Sequence, residues 1–310
     1  MKKFKEGLVF SGIVLLLVGI FLGVMKVMFA SPAPVAIPTT KKHQPTPPQK
    51  VKLCAVGDSL THGVGDTTNK GGYVYLIKQK LNKQSDLQVT TSNYGKTGDR
   101  SDQIETRIKT QKQLQQALHQ ADVITLTVGG NDLMQVLQKN AGKLLNNDLA
   151  SVMDGQEQQY QAKLKQLLQT IRTYNEHAPI FLFSVYNPFY VYFPTLTALQ
   201  KYTDEWNEVA KKTGQSFKKV YFVDINHQLS EGQYLHRSKK SLKNSTTIDL
   251  GKVSQQKAED LLTDAKEKND FLSSQDHFHP NLKGYKYMTE QLYQVMQAHS
   301  ATWRQKKGDS

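Results

Sequence analysis

Five short apolar runs, separated by stretches of helical periodicity, constrain what this chain can fold into more than any other feature. Val51–Gly57, Leu87–Asn93, Asp122–Val128, Ile180–Val185 and Val220–Val223 read as strands, with Leu87–Asn93 alternating and Asp122–Val128 the clearest buried run. Gly72–Leu81, Asp102–His119, a Gln/Lys-rich stretch around Glu157–His177, Ala198–Thr213 and Leu282–Ala298 carry apolar residues at helical spacing. In Asp102–His119 these are Ile104, Ile108, Leu114 and Leu118. Regular β-α alternation favours a parallel sheet with helices on both faces. Right-handed crossovers then predict a three-layer α/β/α sandwich with five parallel strands in the order 2-1-3-4-5, a flavodoxin-like arrangement. The stretch Asn226–Gln275 is long, charged and weakly periodic, and reads as an insertion with some helix over Gln255–Glu267.

The first fifty of the 310 residues have a different character. Lys2, Lys3 and Lys5 precede the uncharged run Leu8–Met25, and Lys26 and Val27–Ala30 follow. At ~1.5 Å per residue, Leu8–Ala30 spans about 34 Å, enough to cross a bilayer if Lys26 snorkels to the far interface. The cations ahead of it predict the N-terminus inside and the body outside. Cleavage as a signal peptide is the competing expectation, but the apolar run is long for one and the cleavage sites are poor. Ser31–Lys50 contains six of the ten prolines and reads as an extended linker. Residues 1–30, 31–50, 51–300 and 301–310 are therefore expected to be anchor, linker, catalytic domain and polar tail. Of the net charge of +13, +6 lies in residues 1–50. The mildly basic body carries no Arg-rich aromatic run, zinc-finger spacing or RNA-binding signature, which argues against nucleic acid and for anionic lipid or a cell-wall polymer. The single Cys54 lies inside the first strand and reads as a buried, inert thiol.

In an open parallel sheet, ligands gather beyond the carboxyl ends of the strands. Gly57-Asp58-Ser59-Leu60-Thr61 follows the first strand, Asn93-Tyr94-Gly95 the second and Gly129-Gly130-Asn131-Asp132 the third. Asp276-His277-Phe278-His279-Pro280 precedes the last helix. Nucleophilic ester hydrolysis needs a hydroxyl, a base and a group to orient the base. Ser59, His279 and Asp276 meet those needs, and the Ser59 N–H, Gly95 N–H and Asn131 amide can serve as oxyanion donors. Each block alone has a plainer reading, as a turn, an N-cap or a helix start. Asp58 reads as a brace for its turn, Asp132 as an N-cap and His277 as structural. Asp276, His277 and His279 could be part of a metal site, but no further ligand cluster accompanies them. The run Tyr186–Phe193 either lines an acyl or sugar pocket or packs on the insertion.

Together the four blocks, in this order, resemble those of the SGNH/GDSL hydrolases, over residues 51–300, and most closely the membrane-anchored bacterial lipase/acylhydrolase branch. The resemblance implies Ser59 as nucleophile, Gly95 and Asn131 as oxyanion donors with the Ser59 N–H, and His279 as base with Asp276 completing the triad. It also implies that the reaction needs no metal or organic cofactor. The expected substrate is a lipid or short-chain acyl ester, cleaved through an acyl-serine at the cell surface. Alternatives are an O-deacetylase or acyltransferase acting on an acylated envelope glycan, or a tethered binding protein without turnover.

Overall fold

A computed structural model of the chain describes residues 47–140, 149–194, 196–237 and 267–304, with 16, 18–20, 142–143 and 242. Contacts divide the chain into residues 1–46 and 47–310. Most of the expected anchor, most of the linker and the expected helix Gln255–Glu267 lie outside the described residues, Glu267 apart. Among the described residues no helix is long and apolar enough to cross a membrane.

The second unit is built on β1 (Gln49–Gly57), β2 (Leu87–Gly95), β3 (Val123–Thr127), β4 (Ile180–Phe183) and β5 (Val220–Val223). All pairings are parallel, and the order is β2-β1-β3-β4-β5, as predicted. Successive side chains leave a strand on opposite faces. Cys54, Val56, Ile124, Leu126, Ile180 and Leu182 therefore enter one core, and Leu53, Ala55, Val123, Phe181 and Phe183 another. The first core is covered by α3 (Ser101–Thr110), α4 (Lys112–His119), α5 (Gly130–Lys139), α6 (Ala150–Tyr174) and α7 (Thr197–Gln215). The second lies under α2 (Gly72–Leu81), α8 (Asn226–Glu231) and α9 (Leu282–Ala298). Burial pushes the Cys54 thiol up to about 12, so it is unreactive near neutral pH, as its position in β1 implies.

Two expectations are corrected. The single helix Asp102–His119 is two helices, broken at Gln111, whose backbone is extended. The six-residue step from Ile108 to Leu114 turns an unbroken helix about 120° off its apolar stripe, and the break restores the phase. The Gln115 side chain then donates to the freed carbonyls of Ile108 and Lys109, each at 2.9 Å. The described ends of the expected insertion 226–275 are core. Leu229 and Leu272 are buried, and Asn269 Nδ2 donates to Leu229 O at 2.8 Å. The domain also extends past 51–300 at both ends. Strand β1 begins at Gln49, and Trp303, expected in a polar tail, is buried with its Nε1 donating to Met296 O at 2.9 Å.

After β1 the chain turns into the single helical turn α1 (Ser59–His62), which packs across the end of β2. Gly57 and Gly95 are register partners there. A Cβ on Gly95 would collide with the backbone of Thr61 and His62. The absence of a side chain at Gly95 is therefore required by the close passage of α1. Gly95→Ala is expected to destabilise the domain by about 1–3 kcal/mol, as for other overpacked sites. A melting temperature unchanged from the parent's would show that the passage is not this tight.

Candidate active site

Ser59 is the first residue of α1, and its surroundings are set by the turn before it. Asp58 caps α1, its Oδ1 accepting from the Leu60 N–H at 3.0 Å and from the Thr127 hydroxyl at 2.8 Å. A chain of buried hydroxyls continues beneath, with Thr127 to Thr61 at 2.8 Å, Thr61 to the Tyr73 phenol at 2.9 Å and Tyr73 to Thr125 at 3.1 Å. These contacts bind the β1 and β3 ends to α1 and α2. Burial pushes the Asp58 carboxyl above its ordinary range, although the bonds from Thr127 and Leu60 oppose it. Asp58 thus braces the turn, as read from the sequence.

The segment before α9 brings two side chains to Ser59. His279 Nε2 lies 2.8 Å from Ser59 Oγ, and His279 Nδ1 lies 2.6 Å from Asp276 Oδ2. Asp276 Oδ1 also accepts from the N–H groups of Phe278 and His279, both at 3.0 Å. Partial burial raises the Asp276 carboxyl, but the His279 imidazole and these N–H groups outweigh it and hold the group below its usual pKa. The helix cap is Asn281, two residues beyond His279, so Pro280 lies outside the helix rather than in its first turn. His277 points into the interior. It adopts a left-handed backbone (φ 53°) and contacts Tyr192 Oη at 2.9 Å and Glu267 Oε2 at 2.5 Å. That inversion lets Asp276 and His279 face outward while their neighbour is buried.

The third block is held from behind. Asn131 Nδ2 donates to Asp99 O at 2.9 Å. Asp132 does not cap its own helix, as the sequence suggested: Gly129 takes the N-cap position, and Asp132 Oδ2 accepts from the N–H and hydroxyl of Ser101, each at 3.0 Å. It therefore caps the neighbouring helix α3, because α5 packs with its first turn against the start of α3. Trp206 stacks on Tyr160 with centroids 4.4 Å apart, and its Nε1 donates to Gly129 O at 3.1 Å.

Ser59, Asn131, Gly130, Leu60, Val128, Val185, Tyr186 and Phe278 are among the residues lining a cavity of about 40 Å³. Tyr186 closes one side by donating to Phe278 O at 2.6 Å. Of the aromatic run Tyr186–Phe193, Tyr186 reaches this cavity, whereas Tyr192 packs on His277. Gly95 is not on the lining, and its N–H donates to Asn93 Oδ1 at 2.9 Å. Among the described residues, no three His, Cys, Asp or Glu side chains converge to hold a metal ion. Sequence reasoning missed Thr127 and Trp206, whose signal is diffuse: a polar residue inside an apolar strand, and a large residue on an otherwise amphipathic helix.

Comparison with known proteins agrees with this architecture. Residues 55–287 match the GDSL-like lipase/acylhydrolase family. The chain is 30% identical over 259 residues to the uncharacterized protein YpmR of Bacillus subtilis, covering 83% of this chain and 85% of that one. It is 24% identical over 174 residues to the spore germination lipase LipC of Bacillus licheniformis, covering 56% and 79%. The crystal structure of the lipase Lip_vut3 from a goat rumen metagenome shares the fold, with a TM-score of 0.58 at 22% identity over 79% of this chain and 97% of that one. With three quarters of its length matched, the chain belongs to the GDSL-like lipase/acylhydrolase family, whose members are carboxylic ester hydrolases.

Proposed function

We propose that the enzyme cleaves short-chain acyl esters through an acyl-Ser59 intermediate. The observation that carries this reading is the continuous line from Ser59 Oγ through His279 to Asp276, at 2.8 and 2.6 Å. In this reading His279 takes the Ser59 proton as Oγ attacks the carbonyl carbon, and Asp276 stabilises the imidazolium that forms. Asn131, the Ser59 N–H and the Gly95 N–H receive the oxyanion, with Gly95 released from Asn93 to do so. His279 then protonates the leaving alcohol, and water resolves the acyl-serine by the same steps. Ser59→Ala is expected to lower kcat on a p-nitrophenyl ester by more than about a thousandfold, and Asn131→Ala by about a hundredfold or more. Full activity in Ser59→Ala, or failure of a fluorophosphonate to label Ser59, would remove the mechanism.

The depressed Asp276 pKa makes a second test. A carboxylate held below its usual range stays ionised to lower pH than an ordinary aspartate, and so goes on orienting the imidazole on the acid side. The acid limb of kcat/KM is therefore expected to follow a single proton, taken up by the base rather than by Asp276. A limb of slope two would contradict the assignment.

Short acyl groups are favoured by the cavity. A cavity this small beside Ser59 supports an acetyl to butyryl group. Its walls, Leu60, Val128, Val185, Tyr186 and Phe278, are mostly apolar. The similarity to a relative named as a spore germination lipase supports the second reading, a lipid ester. A panel of p-nitrophenyl esters separates them: kcat/KM is expected to fall by about tenfold or more between butyryl and octanoyl. A maximum at octanoyl or longer would favour the lipid ester instead. We further propose that Leu8–Ala30 tethers the enzyme with its catalytic domain outside the cell, supported by its length, its lack of charge before Lys26 and the lysines ahead of it.

A further inference from the structure

We propose that Arg107 is the positioning residue that sets the geometry of the oxyanion donors, acting on two strand ends and one loop from one buried guanidinium; this rests on the roles given above to Ser59, Gly95 and Asn131. Arg107 lies on α3, and its side chain is only 10% exposed. Its Nε donates to Asp99 Oδ2 at 2.5 Å, Nη1 to Tyr94 O at 3.1 Å and Nη2 to Gly57 O at 3.0 Å. Each acceptor belongs to a different segment of the site.

Tyr94 O and the Gly95 N–H are the two ends of one peptide group. A donor on the carbonyl fixes the plane of that group and polarises the N–H at its other end, strengthening it as a donor. Gly57 O is the last strand carbonyl before the turn, two residues ahead of Ser59, and the next N–H, of Asp58, donates to Thr127 Oγ1 at 3.3 Å. Arg107 thereby holds the end of β1 from which Ser59 projects. The third arm acts through Asp99. Its buried carboxylate is the ion-pair partner of Arg107, and its backbone carbonyl accepts one Nδ2 hydrogen of Asn131. The second Nδ2 hydrogen remains for the oxyanion.

Only arginine fits this position. The guanidinium is planar and presents its donors in a rigid fork, so three bonds diverge in fixed directions from one group. A lysine ammonium at the same site supplies the charge but not the fixed directions. A buried ion pair is by itself a weak source of stability, since desolvation offsets the attraction. Two of the three bonds here go to uncharged carbonyls at the ends of catalytic strands, which points to placement rather than charge balance as their consequence.

The test is a double-mutant cycle in the full-length enzyme, between Arg107→Lys and Asn131→Ala, read as kcat and KM on p-nitrophenyl butyrate. Arg107→Lys is expected to lower kcat by about ten- to a hundredfold, with KM changed less than about threefold, since misplaced donors are felt in the transition state. In the double variant the combined loss is expected to fall about tenfold or more short of the product of the single losses. Leu164→Ala, a core variant on α6, controls for stability. The proposal is overturned by losses that multiply, by a folded Arg107→Lys enzyme with kcat within about twofold of the parent's, or by an equal kcat loss in Leu164→Ala at a matched fall in Tm. If Arg107→Lys does not fold, Asp99→Asn, which keeps the side-chain shape, takes its place in the same cycle under the same criteria. Fluorophosphonate labelling of the parent separates the two readings: without labelling at Ser59 the catalytic assignment fails first, whatever Arg107 does.

Discussion

The ends of β1, β2 and β3 meet at one level, and the rest of the site hangs from that meeting. Gly57 is in register with Gly95 on one side and Thr127 on the other. In a parallel sheet all carboxyl ends point the same way, so three turns that are far apart in sequence must emerge together. The space where they emerge is tight. Gly95 leaves no room for a side chain beneath α1, and Gly57 is pressed against Thr127 and Thr61. Polar groups trapped there are satisfied by one another through the Asp58, Thr127, Thr61, Tyr73 and Thr125 chain, which avoids roughly 1–3 kcal/mol per orphaned group.

Three carboxyls around this meeting point have different environments. Asp276 is partly exposed and accepts three hydrogen bonds, one from an imidazole, and is held below its ordinary pKa. Asp58 and Asp132 are pushed up by burial, against the opposing effect of their hydrogen bonds. Asp132 Oδ1 is buried with no hydrogen-bond partner among the described residues, which suits a group more easily protonated than exposed aspartates. The environments divide the labour: the carboxyl beside His279 stays charged, while the other two serve as braces.

The catalytic candidates were legible because each belongs to a short block at a predictable place, just after a strand or just before the last helix. Ser59, His279 and Asp276 do come together, and Asn131 joins Ser59 at the cavity. Their supports were not legible. Thr127 looks like one more residue of a buried strand, and Arg107 like one cation on a polar helix face. Asp132 was read as the cap of its own helix because local sequence offers no sign of the neighbouring one. The break at Gln111 was visible in principle, since the step from Ile108 to Leu114 does not fit an unbroken helix, but the surrounding polar residues masked it.

By itself, the sequence determined the five strands, the two-sided burial of the sheet and the residue types set at its carboxyl end, because these follow from periodicity and short-range spacing. The tertiary structure alone decided which peptide groups face the cavity, how small that cavity is and what holds its donors in place. Arg107 is 50 residues from Gly57, 13 from Tyr94 and 8 from Asp99, and no periodic signal connects those positions. Their bonds depend on where a helix crosses the ends of two strands, and that crossing is set by packing over the whole core rather than by any local stretch of chain.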